Sequence, residues 1–155
     1  MIEREIRFRV TAGRPPPGGA RIEQAYVLRG RVTLRVRRKE GSGARLTLKL
    51  PRGDGRYEWE RRIPGPLADA LLRLPLPRVE KRRSVEGRLE VDRLEWPVEI
   101  VLVELELRPG EGPDLRDAAA RARFMEAHRP RWVESWTDVT DAPTYTNARL
   151  ARVKP

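Results

Sequence analysis

The chain contains no cysteine and a single histidine, His128. That excludes a disulfide framework, a thiolate nucleophile, a thiolate-bound metal and any histidine cluster. A metal ion here has to be held by oxygen. Lysine is almost as scarce: only Lys39, Lys49, Lys81 and Lys154 occur, so nearly all of the positive charge is arginine. Aromatic residues make up 6% of the chain and do not interleave with a basic stripe, which disfavours a stacking platform for nucleic acid. Trp59, Trp96, Trp132 and Trp136 are expected in packing roles, and His128 at the surface near a helix end. No apolar run approaches the roughly 18 residues of a membrane span, and the opening Met1-Ile2-Glu3-Arg4-Glu5 lacks a signal-peptide core. A cytoplasmic protein without a membrane partner is expected.

What is present is charge. The 155 residues carry a net +10, which favours polyanionic partners without choosing among them, and 39% hydrophobic content suits one ordinary globular domain spanning 1–155. Period-2 alternation dominates the first two-thirds and predicts strands over 2–11, 21–28, 32–39, 45–50, 56–63, 78–85, 88–94 and 99–107. Short glycine-rich breaks such as Gly41-Ser42-Gly43 and Glu86-Gly87 read as hairpin turns. Leu67, Leu71, Leu72 and Leu74 predict a short amphipathic helix ending at Pro75, and an Ala- and Arg-rich helix follows over 114–127. The 132–151 tail reads as polar and irregular. The expected fold is mainly β, an eight-stranded antiparallel barrel closed on itself with a few short flanking helices.

Within the strands, charged residues recur at two-residue spacing and therefore share a face. Glu3, Glu5 and Arg7 lie on one face and Ile6 and Phe8 on the other. The same holds for Arg35 with Arg37, Glu58 with Glu60, Lys81 with Arg83, Glu90 with Asp92, and Glu104 with Glu106. Alternation alone does not say which face is inside, and a solvated charged exterior is its usual meaning. If the charges point inward, clustered carboxylates call for a hard divalent cation such as Mg2+ or Mn2+. The cations would then grip a linear polyphosphate, Arg as a fork and Lys as a point charge.

Several of these segments, in order, resemble the CYTH superfamily, the triphosphate tunnel metalloenzymes. Glu3-Arg4-Glu5-Ile6-Arg7 is similar to the family's opening Glu-x-Glu-x-Lys, with Arg7 in place of the Lys. Ile22-Glu23-Gln24-Ala25-Tyr26, Leu34-Arg35-Val36-Arg37 and Leu46-Thr47-Leu48-Lys49 resemble the next three strands. Glu58-Trp59-Glu60, Glu80-Lys81-Arg82-Arg83, Glu90-Val91-Asp92 and Glu104-Leu105-Glu106 follow, and Val139-Thr140 with Tyr145-Thr146-Asn147 closes the series. The resemblance implies a tunnel with the charged faces inside, often dimeric, that hydrolyses triphosphates with Mg2+ or Mn2+. It implies metal ligation by Glu3, Glu5, Asp92, Glu104 and Glu106, phosphate binding by Arg7, Arg35, Arg37, Lys49 and Arg83, and a further acidic lining of Glu58, Glu60 and Glu90. Lys81 falls where members that cleave inorganic triphosphate carry a lysine proposed to activate water. Inorganic tripolyphosphate is the favoured substrate; thiamine triphosphatase and class IV adenylate cyclase share the resemblance. A non-catalytic polyphosphate-binding module is the alternative from another class.

Overall fold

The computed structural model describes residues 2–53 and 55–155. Its strands are β1 (Ile2–Glu3), β2 (Glu5–Gly13), β3 (Ala20–Leu28), β4 (Thr33–Lys39), β5 (Gly43–Arg52), β6 (Gly55–Ile63), β7 (Arg78–Glu86), β8 (Leu89–Trp96), β9 (Ile100–Glu106) and β10 (Val133–Asp138). The helices are α1 (Gly65–Leu72), α2 (Ala118–Glu126) and α3 (Asn147–Leu150). All strands belong to one antiparallel sheet, in the order β1-β6-β5-β4-β3-β7-β8-β9-β2-β10. The alternating pattern thus forms the strands it predicts, with two corrections to the expected eight. The first strand divides at Arg4, and a tenth lies in the tail that reads as irregular.

The division at Arg4 places the N-terminal segment against both ends of the strand series. β2 pairs with β9 through Glu5↔Glu106 and Arg7↔Glu104, while β1 pairs with β6 through Ile2↔Tyr57 and Glu3↔Arg56. The second contact is only two residue pairs long, so the continuous ladder of a closed barrel is not what the pairing provides.

Apolar packing covers the outer face in two places. Ile6, Phe8, Leu89, Val91, Val103 and Leu105 pack under Met125 of α2, with Trp132 and Trp136 at the margin. Ala25, Val36 and Ala44 pack under Ala68 and Leu72 of α1. These patches supply the hydrophobic stabilisation that the polar inner face cannot. On the inner face itself, Tyr26, Val79, Leu94 and Leu102 pack against Val139 and Ala151, so the C-terminal segment seals part of the interior. Among the described residues no helix is long and apolar enough to cross a membrane.

Candidate functional site

Along β7, β8 and β9 the inner-facing residues change character in the same direction. Val79, Leu94 and Leu102 are buried and apolar, and one step along the same faces come Lys81, Asp92 and Glu104. A further step brings Arg83, Glu90 and Glu106, which line a cavity of about 210 Å³. The same cavity receives Glu3 and Glu5 with Arg7 from β1 and β2, Arg35 and Arg37 from β4, Lys49 from β5, and Glu58 and Glu60 from β6. Strands from across the whole sheet order meet there, so the sheet is rolled with its charged face inward. The solvated-exterior reading of these charges is overturned.

Ion pairs organise the wall. Lys49 Nζ lies 2.5 Å from Glu3 Oε2 and 3.1 Å from Glu58 Oε2. Arg7 donates through Nε to Glu104 Oε1 at 2.9 Å and through Nη2 to Glu5, and its Nη1 reaches the Tyr145 carbonyl at 3.3 Å. Arg83 holds Asp92 with two parallel hydrogen bonds of 2.6 and 2.7 Å and also pairs with Glu90. Glu60 accepts from Arg45 at 2.5 Å and from Thr47 Oγ1 at 3.1 Å. Burial pushes the Glu58 and Glu104 carboxyls up, but the cations beside them, Lys49 and Arg7 foremost, outweigh it and hold both below their ordinary value.

Two arginines stand apart. Arg35 is only 7% exposed, and its Nε has no hydrogen-bond partner. Arg37 donates to Gln24 Oε1 at 3.2 Å, a neutral acceptor that Tyr26 in turn supports through a 2.9 Å hydrogen bond between Gln24 Nε2 and the Tyr26 hydroxyl. Burial, then Arg35 and Arg83, pull Arg37 down to about 10, so it remains a cation at neutral pH. Neither arginine has an ion pair with a described carboxylate. A buried, undersatisfied cation is costly unless an anion completes it.

The carboxylates show the opposite imbalance. Glu5 sits directly across from Glu106 on β2 and β9, and Glu90 directly across from Glu104 on β8 and β9. Like charges so placed repel. Burial pushes Glu5 up, Arg7 opposes it, and Glu104 and Glu3 add to the rise, leaving it at about 7. Glu106 is raised as well, by burial and by Glu3, Glu58 and Glu90. The cavity lining holds seven carboxylates against five cations. Fully ionised, that lining carries two excess negative charges on hard oxygen donors, a set that suits a divalent cation such as Mg2+ or Mn2+. Among the described residues no three acidic or histidine side chains are already gathered into a ligand cage.

Lys81 and Asp92 are predicted site residues that do not line the cavity. Both are fully buried behind its wall, with Lys81 Nζ 2.5 Å from Asp92 Oδ2 and 3.5 Å from Asn147 Oδ1. Burial pushes Lys81 down, Asp92 opposes, and Arg83 adds to the fall, leaving it at about 8. Asp92, despite its burial, is held well below the carboxylate range by Lys81 and Arg83. Asn147 lines the cavity and was not among the predicted site residues. Its signal was the Tyr145-Thr146-Asn147 motif, but the tail gave no periodicity that would turn the side chain inward. The other predicted residues, Glu3, Glu5, Arg7, Arg35, Arg37, Lys49, Glu58, Glu60, Arg83, Glu90, Glu104 and Glu106, come together in the one cavity.

The rolled antiparallel sheet is a fold that solved structures share. A crystal structure of the hypothetical protein NE1496 is 24% identical, covering 98% of this chain and 99% of that one, with a TM-score of 0.55. One of the inorganic triphosphatase NE1496 is 23% identical over 99% of this chain and 96% of that one, with a TM-score of 0.53. The PH1012 protein from Pyrococcus horikoshii OT3 is 18% identical over 97% and 99% of the two chains, with a TM-score of 0.51. These likenesses show a common fold, so the resemblance read from the motifs has a structural counterpart. No family model and no curated protein matches the chain.

Proposed function

We propose that the cavity binds a triphosphate together with Mg2+ or Mn2+ and hydrolyses it, with inorganic tripolyphosphate as the substrate. The observation that carries this reading is the pair of arginines, Arg35 buried and Arg37 half-buried, that face the cavity without a carboxylate partner among the described residues. The likeness of fold to a protein named an inorganic triphosphatase supports it. The finer architecture belongs to the same proposal: a tunnel completed at the short β1–β6 contact.

Glu3, Glu5, Glu104 and Glu106 would hold the metal ion, and Asp92 would act from behind by fixing Arg83. Metal binding would supply charge neutralisation of the phosphate oxygens and of the crowded carboxylates. Arg35 and Arg37 would bind phosphate oxygens, joined by Arg7 and Lys49 as Glu5, Glu104 and Glu3 turn to the metal, and by Arg83 in the position where Asp92 holds it. A water oxygen bonds to the terminal phosphorus and releases a proton to solvent, the bridging P–O bond breaks, and the departing pyrophosphate takes the bond's electron pair. Cations fixed in advance along the wall stabilise the charge that develops on that leaving group. Glu60, held by Arg45 and Thr47, lines the cavity without a ligand role in this proposal. Burial of Lys81 behind the wall supports a positioning role, through Asp92 and Asn147, over the water-activating role that the resemblance implies.

The test is phosphate release from tripolyphosphate, thiamine triphosphate and ATP, each with Mg2+, with Mn2+ and with chelator. Metal-dependent release, fastest on tripolyphosphate, is expected. Tight binding without release on any of the three would identify a polyphosphate-binding module instead.

A further inference from the structure

Immediately beyond Arg35 lies a second cavity, of about 550 Å³, lined by Arg29, Arg56, Arg149 and Arg152 with Thr33 and Thr146. It continues the first along three elements at once. β4 gives Thr33 to it and Arg35 to the first cavity, β6 gives Arg56 and then Glu58, and the C-terminal segment gives Thr146 and then Asn147. On a strand, two residues span about 6–7 Å, roughly the reach of two phosphate units. No carboxylate and no aromatic ring lines the second cavity among the described residues. The Arg29 and Arg152 guanidiniums are held by backbone carbonyls, Arg29 by Ala151 at 2.7 Å and Arg152 by Arg149 at 2.6 Å. Arg56 and Arg149 make no side-chain hydrogen bond or ion pair with any described residue. Thr33 is 3% exposed, and its hydroxyl has no hydrogen-bond partner.

Four guanidiniums and an unsatisfied hydroxyl want oxyanion oxygens. A thiamine cation would be repelled there, and adenine would find no ring to stack on. We infer that this pocket takes the distal phosphates of a linear polyphosphate longer than three units, so that the substrate's far end is phosphate and not an organic group. The inference rests on the triphosphatase reading of the first cavity.

The experiment compares tripolyphosphate with linear hexaphosphate on the full chain, for the wild type, Arg56→Ala/Arg149→Ala, Thr33→Val, and a control with equal charge loss at exposed Arg61 and Arg62, Arg61→Ala/Arg62→Ala. With Mg2+, the wild-type KM for hexaphosphate is expected to be about tenfold below that for tripolyphosphate. The Arg56/Arg149 variant should abolish that difference while moving the tripolyphosphate KM less than twofold. Thr33→Val should reduce the difference, and the Arg61/Arg62 control should keep it. Calorimetric titration with hexaphosphate in chelator should show at least tenfold weaker binding to the Arg56/Arg149 variant alone. Equal KM for the two chain lengths in the wild type, or equal weakening by the control, overturns the inference. If neither phosphate is turned over but the chelator titration shows the arginine-dependent loss, the triphosphatase reading has failed and the polyphosphate pocket stands.

Discussion

Glu5 and Lys81 are ionisable groups whose surroundings move them toward neutrality, in opposite directions. Glu5 is raised from 4.5 to about 7. Its folded-state value lies above the unfolded one, so between those values the folded chain binds more protons, and metal-free stability falls as pH rises through that window. We expect the Tm in chelator to drop from pH 5 to pH 8 and the slope to flatten in Glu5→Gln; added Mg2+ should stabilise the wild type more at pH 8 than at pH 6. A Tm in chelator that rises across that range would place the Glu5 charge in a satisfied environment. Lys81, lowered to about 8, has the converse linkage: the folded state binds fewer protons above that value, so its burial costs stability at neutral pH and the cost fades toward the unfolded lysine value. In the positioning role, Lys81→Ala lowers kcat at every pH without deleting a limb near pH 8. Disappearance of such a limb from the pH–rate profile would make Lys81 the water-activating base instead.

Elements differ in how far the sequence reveals them. The strands of the first two-thirds are plain because their side chains alternate, and the same spacing places Glu104 with Glu106 and Arg35 with Arg37 on shared faces. β10 is hidden because Val133–Asp138 has no clean alternation and its pairing with β2 shifts register on either side of Ser135. The clue lies in its partner strand. Gly13 has a φ of 115°, and a Cβ there would meet the Trp132 carbonyl oxygen at 2.2 Å. Gly13→Ala should therefore push β10 off the edge of β2, with a loss of roughly 1–3 kcal/mol from the strained backbone and more from lost packing. Denaturant unfolding reads the loss, and an unchanged midpoint would show that β10 contributes nothing to the sheet. The α2 helix is legible from its Ala-rich run, but its start is not: Asp117 caps it by accepting from the Ala120 N–H, so it begins at Ala118, four residues inside the expected 114–127. Its anchor is Met125, fully buried against β2, β8 and β9, and Met125→Ala should cost about 2–5 kcal/mol without changing anion affinity.

At the scale of the molecule, two facts cannot be read along the chain. Which face of an alternating strand is inside depends on what covers the other face, and here α1, α2 and the 132–138 segment cover the apolar one. The depth of each charge is the second. Lys81 and Arg83 have the same spacing pattern as Arg35 and Arg37, yet Lys81 is walled off by Asp92 and the sealing C-terminal residues. The net charge of +10 is also unevenly spent: the first cavity is net acidic without a metal ion, while the second is wholly basic among its described lining residues. Anion binding in the first cavity should therefore depend on a divalent cation, and binding in the second should not. The central claim is that the cavity around Arg35 and Arg37 turns over triphosphate. Phosphate release from tripolyphosphate by the wild type and by Arg35→Ala, each with Mn2+ and with chelator, tests it most directly. The account predicts release by the wild type with Mn2+ alone and a loss of at least about a hundredfold in kcat/KM for Arg35→Ala, in line with removal of a preorganised charge from a phosphoryl-transfer site; equal release by the two proteins, or release unaffected by chelator, would contradict it.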